Sequence, residues 1–185
     1  QCTHYVDGGI PLESLTFGFH FGSAIAHLWY AYDSKRYYRR LKTHGNPLRW
    51  IEYAITAALM IVVIMVTMGI VAVWELVSAA VLTAGTQFYG WLCETAVQVN
   101  RAALYRLRWN FFWVGAALAL PPWVSIFVTY DNSRRNSDVP VPWFVTAIVI
   151  GLFVMFTSFA VVMALRLRAG DPGVDGAAVV AGLNV

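Results

Sequence analysis

Charge is what this sequence has least of. Only 12% of its residues are Asp, Glu, Lys or Arg, while 59% are hydrophobic. Soluble domains carry about 25% charged residues, so a soluble fold of this composition would leave far too much apolar surface in water. The bilayer is the simpler solvent. Lysine is nearly missing: Lys35 and Lys42 are the only two, set among arginines in one hydrophilic stretch. Cysteine is as sparse, with Cys2 and Cys93 alone. Neither falls in a metal-ligand spacing. The topology below sets them on opposite sides of a membrane, so no disulfide between them is predicted. No basic n-region followed by a cleavage site opens the chain, and no signal peptide is read; a start at Gln1 suits a mature or an excised chain equally. The net charge of +3 does not point to nucleic acid, because the basic residues sort by loop.

Long apolar runs are abundant. A membrane-spanning helix needs about 20 mainly apolar residues at about 1.5 Å each. Five stretches qualify: 12–32, 47–73, 74–97, 110–130 and 142–165. Helices are expected because in lipid a helix satisfies its own backbone, and no strong period-2 pattern argues for a barrel. The predicted fold class is therefore all-α, a polytopic membrane helix bundle. Residues 1–168 form one bundle, and 169–185 a flexible or truncated tail. Pro121 and Pro122 interrupt the fourth span, where a kink is expected because proline removes a donor and crowds the preceding turn. Asn46 and Pro47 read as an N-cap and first helical residue. Trp50, Trp74, Trp109 and Trp143 mark expected membrane interfaces.

The basic residues orient the bundle. Lys35, Arg36, Arg39, Arg40, Lys42 and Arg49 follow span one, Arg101, Arg106 and Arg108 follow span three, and Arg166 and Arg168 end span five. These eleven of the 13 Lys and Arg lie on one side. The other side has only Arg134 and Arg135, beside Asp131 and Asp138. The positive-inside rule makes the first side cytoplasmic, with loops 33–49 and 98–109 inside.

Ionisable groups within a span are costly and face a bundle interior or water. In span one, His20, Ser23, His27 and Tyr30 share a helix face by their spacing. That stripe suits inward helix–helix hydrogen bonding and proton handling or ligand contact alike. Metal binding is disfavoured, since no H-x-x-x-H or H-E-x-x-H completes a site. In span two, "RWIEY" places Arg49 and Glu52 one turn apart, with Thr56, Met60 and Val63 continuing the face. Two readings stand: a local ion pair with Arg49 snorkelling to water, or Glu52 as the anionic partner of a cation in the bundle. No second carboxylate follows deeper in that helix. In span three, Thr83, Gln87, Gly90 and Glu94 repeat the pattern, suggesting close packing at Gly90 and a solvated Glu94 at the cytoplasmic end.

"NPLRWIEYAITAALM" closely resembles the third transmembrane helix of heliorhodopsins, whose Arg-x-x-Glu matches the Arg-x-x-Asp of other microbial rhodopsins. Span one, with Ser23 and His27, is similar to the family's second helix. "QFYGWLCE", "LPPWVSIF" and "LFVMFTSFAVVMAL" resemble its fourth, fifth and sixth. The similarity covers about residues 10 to 168. It implies a retinal-binding, light-sensing membrane photoreceptor, not an enzyme, with Glu52 as counterion of the protonated Schiff base and Arg49 as its neighbouring cation. It implies retinal contacts from Tyr53, Thr56, Met60, Thr83, Gln87 and Phe156, and proton acceptance or relay by His20, Ser23 and His27. A homodimer in the plasma membrane and a signalling partner are also implied. The family's inverted orientation agrees with the basic residues here: one helix before Gln1 would put the N-terminus inside.

Two departures qualify the resemblance. Seven helices are expected where five are found, and the retinal-bearing lysine of the seventh has no counterpart: neither Lys35 nor Lys42 suits the bundle centre. The chain alone is therefore expected to form no pigment, as a truncated gene product or sequence fragment. Ala57 also stands where the family pattern carries a serine, with Thr56 as the nearest compensating hydroxyl. Two other classes compete. Ser-x-x-x-His also resembles the zinc-dependent hydrolases of the adiponectin-receptor superfamily, although their later His-x-x-x-His is missing. Alternatively, the polar stripes serve only association in a structural or partner-binding membrane protein.

Overall fold

A computed structural model of the chain describes residues 12–35, 47–98, 102–136 and 142–169. These residues form five helices: α1 (Leu12–Tyr32), α2 (Pro47–Thr67), α3 (Val73–Gln98), α4 (Ala102–Asn136) and α5 (Trp143–Ala169). Four of them, α2 to α5, are long and apolar enough to cross a membrane. α1 has the length, at 21 residues, but Glu13, His20, Ser23 and His27 dilute its apolar character. Cys2, the Asn46 cap, Arg36 to Lys42, Arg101, Asp138 and the tail beyond Ala169 lie outside the described residues.

Several boundaries differ from those expected, among them the end of the fourth helix, which runs to Asn136 rather than Tyr130. The second span ends at Thr67 rather than Val73, because Gly69 adopts a φ of +87°. Ile70 N–H bonds to the Met65 carbonyl at 2.9 Å and Gly69 N–H to the Val66 carbonyl at 3.0 Å. This pair of bonds is the Schellman arrangement, which favours glycine at the left-handed position. Ile70 and Met65 are both buried in the same apolar cluster, completing the closure. Ala72 then accepts from the amides of Glu75 and Leu76, starting α3.

The fourth helix is 35 residues long and begins at Ala102, so residues expected in a cytoplasmic loop are helical. Arg108 is among them, and it is buried rather than solvated. Its guanidinium stacks over Tyr105 at 3.8 Å and donates to the Tyr105 carbonyl at 2.8 Å. Pro121 and Pro122 lie inside α4, which continues through both. The fifth helix extends four residues past the expected Leu165, to Ala169.

α3 is the centre of the bundle, packed along both α2 and α4, while α1 leans on α2. The main apolar cluster joins α2, α3, α4 and α5 through Ile61, Ile64, Met65, Leu76, Trp123, Ile126 and Val149. α5 is lightly seated: 6% of its span is buried, against 28% for α2. Tryptophans expected at interfaces divide. Trp74 and Trp143 are exposed, but Trp50 is buried between helices.

Candidate functional site

The polar stripes of α1, α2 and α3 converge where α1 and α3 end and α2 begins. Glu52 lies half-buried in the second turn of α2. Its Oε2 accepts a hydrogen bond from the Tyr30 hydroxyl of α1 at 2.8 Å. The His27 ring stands edge-on to Tyr30, with centroids 6.3 Å apart. Together these make a short chain from His27 through Tyr30 to Glu52.

Arg49 does not turn back along α2 to Glu52. It crosses to α3, where its Nη2 donates to Glu94 Oε1 at 3.0 Å. Trp50 Nε1 donates to the other oxygen, Oε2. The Arg49 guanidinium also sits 5.4 Å from the centre of the Trp50 ring. The Arg49 and Glu94 side chains are only 19% and 12% exposed, so Glu94 is no solvated terminal charge. Burying two charges is tolerable because they pair and because Trp50 satisfies the second oxygen. Gly90 makes the approach possible: a Cβ there would come within 2.7 Å of Trp50 Cη2.

The remaining expected site residues separate into groups. Thr56 is buried, but its hydroxyl donates to the Glu52 carbonyl at 2.9 Å. That bond uses the hydroxyl proton within its own helix and leaves the oxygen able to accept, and the neighbouring Ala57 is buried. Tyr53 meets Phe159 of α5 at 6.2 Å. Met60 and Phe156 pack against the apolar cluster, and Phe156 lies 5.4 Å from Trp123. Thr83 is buried and Gln87 half-buried on α3. His20 and His27 are exposed rather than inward, and Ser23 is half-buried. His20 Nδ1 bonds to the Thr16 carbonyl at 2.8 Å within α1.

With this geometry in place, the sequence model described as heliorhodopsin matches residues 4–172. The chain belongs to the heliorhodopsin family. No curated protein matches it. As a heliorhodopsin it is a rhodopsin-like integral membrane photoreceptor, and its family implies retinal as cofactor. The family match does not favour the zinc-hydrolase reading.

Four residues of this heliorhodopsin bear on the site without having been singled out for it. Tyr30 and Glu94 carried a signal, since each ends a polar stripe at helical spacing. Trp50 was legible only as an interfacial aromatic. Trp123 lies within the "LPPWVSIF" stretch that resembles the family's fifth helix, but nothing there marks it as a site residue; it is buried among Phe127, Phe153 and Phe156.

Proposed function

We propose that this chain is the counterion-bearing part of a retinal-binding, light-sensing heliorhodopsin, with Glu52 as the negative charge that faces the protonated Schiff base. One observation carries the reading. Glu52 is a half-buried carboxylate on the matching helix, bonded to a neutral tyrosine, while the nearby Arg49 is engaged by Glu94. An anion of this kind stabilises a neighbouring cation directly.

The residues present fit one half of a retinal site. Glu52 suits the cationic end, and Met60, Phe156 and Trp123 offer an apolar wall suited to a polyene. They do not fit the covalent attachment. No lysine lies in α2 to α5, and Lys35 is exposed just past α1. The attaching amine therefore comes from outside these 185 residues, in keeping with a fragment of a longer gene product. When bound, retinal supplies the light-driven isomerisation. Glu52 supplies the fixed charge and Tyr30 orients it, while His27 and Ser23 stand on the adjoining helix as candidate proton acceptors.

The basic stretches 33–49 and 98–109 face the cytoplasm in this reading, in the plasma membrane. Sensing is preferred to pumping because α2 carries no second carboxylate deeper along its length. A homodimer and a signalling partner complete the proposal. The test is Glu52→Gln in the retinal-loaded protein that carries this chain. A displaced visible absorption maximum is expected, and an unchanged maximum would end the counterion assignment. A visible pigment from the 185-residue chain alone would overturn the claim about the lysine.

A further inference from the structure

Arg49 and Glu52 are three residues apart on one helix face, within easy reach of one another. A guanidinium in that position would by default compensate the carboxylate. Instead Glu52 and Glu94 have separate partner sets. Glu94 holds Arg49 at 3.0 Å and takes a second bond from Trp50. Glu52 takes its side-chain bond from Tyr30, a neutral donor.

We propose that Tyr30 is the positioning residue of the Glu52 carboxylate, and that Glu94 is the residue that keeps Arg49 off it. This rests on the reading of Glu52 as a counterion. The two roles are complementary. In a low-dielectric setting a carboxylate needs a donor, and a cationic donor would cancel the charge that the site exists to present. A tyrosine hydroxyl satisfies one oxygen and leaves the charge uncancelled. It also fixes which oxygen is used, so that Oε1 is left to face an incoming cation. Glu94 makes this division stable because both of its oxygens are occupied, one by Arg49 and one by Trp50. Tyr30 belongs to α1, with His27 against its ring, so the orientation of Glu52 is set from a neighbouring helix.

The test uses carbon-13 NMR of the full 185-residue chain in lipid nanodiscs, with the glutamate Cδ labelled. The sequence has four glutamates, Glu13, Glu52, Glu75 and Glu94, so Glu52→Gln and Glu94→Gln assign the two signals by loss. Tyr30→Phe is expected to shift the Glu52 signal and leave that of Glu94 in place. Arg49→Gln is expected to shift the Glu94 signal and leave that of Glu52 nearly unmoved. Glu94→Gln is expected to shift Glu52 as Arg49 turns to it, and Glu94→Asp to restore most of the original position. Circular dichroism confirms helix content in each variant. The proposal is overturned if Tyr30→Phe leaves Glu52 in place, or if Arg49→Gln shifts Glu52 more than Glu94. None of these readings needs retinal. Should Glu52→Gln leave the pigment's absorption maximum unchanged, the counterion reading falls by itself, and the resonances still decide the roles of Tyr30 and Glu94.

Discussion

The Trp50 ring lies directly against the backbone of Gly90, leaving no room between α2 and α3 for a side chain. Small residues at such a contact allow helices to approach closely in lipid, where packing rather than water exclusion drives association. The same approach brings Trp50 Nε1 to Glu94, four residues further along α3. Gly90→Ala is therefore expected to destabilise the bundle by about 1–3 kcal/mol through overpacking. Denaturation of the chain in mixed micelles measures this, with Gly85→Ala as a milder comparison. At Gly85 the nearest atom to an added Cβ is the end of the Leu118 side chain, at 3.2 Å.

Removing Glu94 alone should be worse than removing the pair. Breaking one side of a buried ion pair costs about 3–5 kcal/mol because the remaining charge stays desolvated. Arg49 retains 19% exposure, which places the expected loss for Glu94→Gln toward the low end of that range. The double variant Arg49→Gln/Glu94→Gln should recover a large part of the loss in the same measurement. Full additivity of the two single changes would contradict the pairing.

At the opposite end of the bundle, Arg135 and Asp131 pair at 2.7 Å, but their side chains are 74% and 51% exposed. Solvated pairs of this kind contribute about 0.3–0.5 kcal/mol. Arg135→Gln should leave the unfolding midpoint almost unchanged, in contrast to Glu94→Gln.

The turn between α2 and α3 makes a conformational prediction. An Ala Cβ at Gly69 would meet nothing within 4 Å, so any penalty comes from its φ of +87°. Gly69→Ala should cost about 1–2 kcal/mol, and Gly69→Asn less, because asparagine tolerates the left-handed region. Equal stability of the alanine variant would show that the Schellman closure is not needed.

Cys93 is a free thiol, 1% exposed, directed at the Arg108 carbonyl at 3.5 Å. Buried structural thiols are inert. In a Cys2→Ser background, a water-soluble maleimide should not label the folded chain, and labelling should follow unfolding.

Much of this arrangement was legible in the sequence, for reasons that differ from residue to residue. The α1 bounds and the bundle class follow from the length of the apolar runs. The close approach at Gly90 follows from its place in a polar stripe. The partner of Arg49 did not follow, because spacing along one helix reports only neighbours on that helix, whereas Glu94 arrives from α3. The sequence places the end of α2 too late because "MGIVAV" is as apolar as the helix before it. There the break comes from one backbone angle at Gly69, not from a change in polarity. From sequence Arg108 reads as a loop charge, because charge density marks a membrane boundary well but does not reveal that Tyr105 covers the guanidinium. His20 and His27 share the expected helix face, but that face is open among the described residues.

The light seating of α5 has a mechanical consequence. α2, α3 and α4 are joined by the broadest packing, with the Glu94 lock between α2 and α3, whereas α5 is held by Val149 in the apolar cluster, aromatic contacts around Trp123, the Tyr53–Phe159 contact and a hydroxyl bond between Tyr130 and Thr146. Under a pulling force α5 is therefore expected to detach before α2, α3 and α4, which single-molecule force spectroscopy would read as the first rupture.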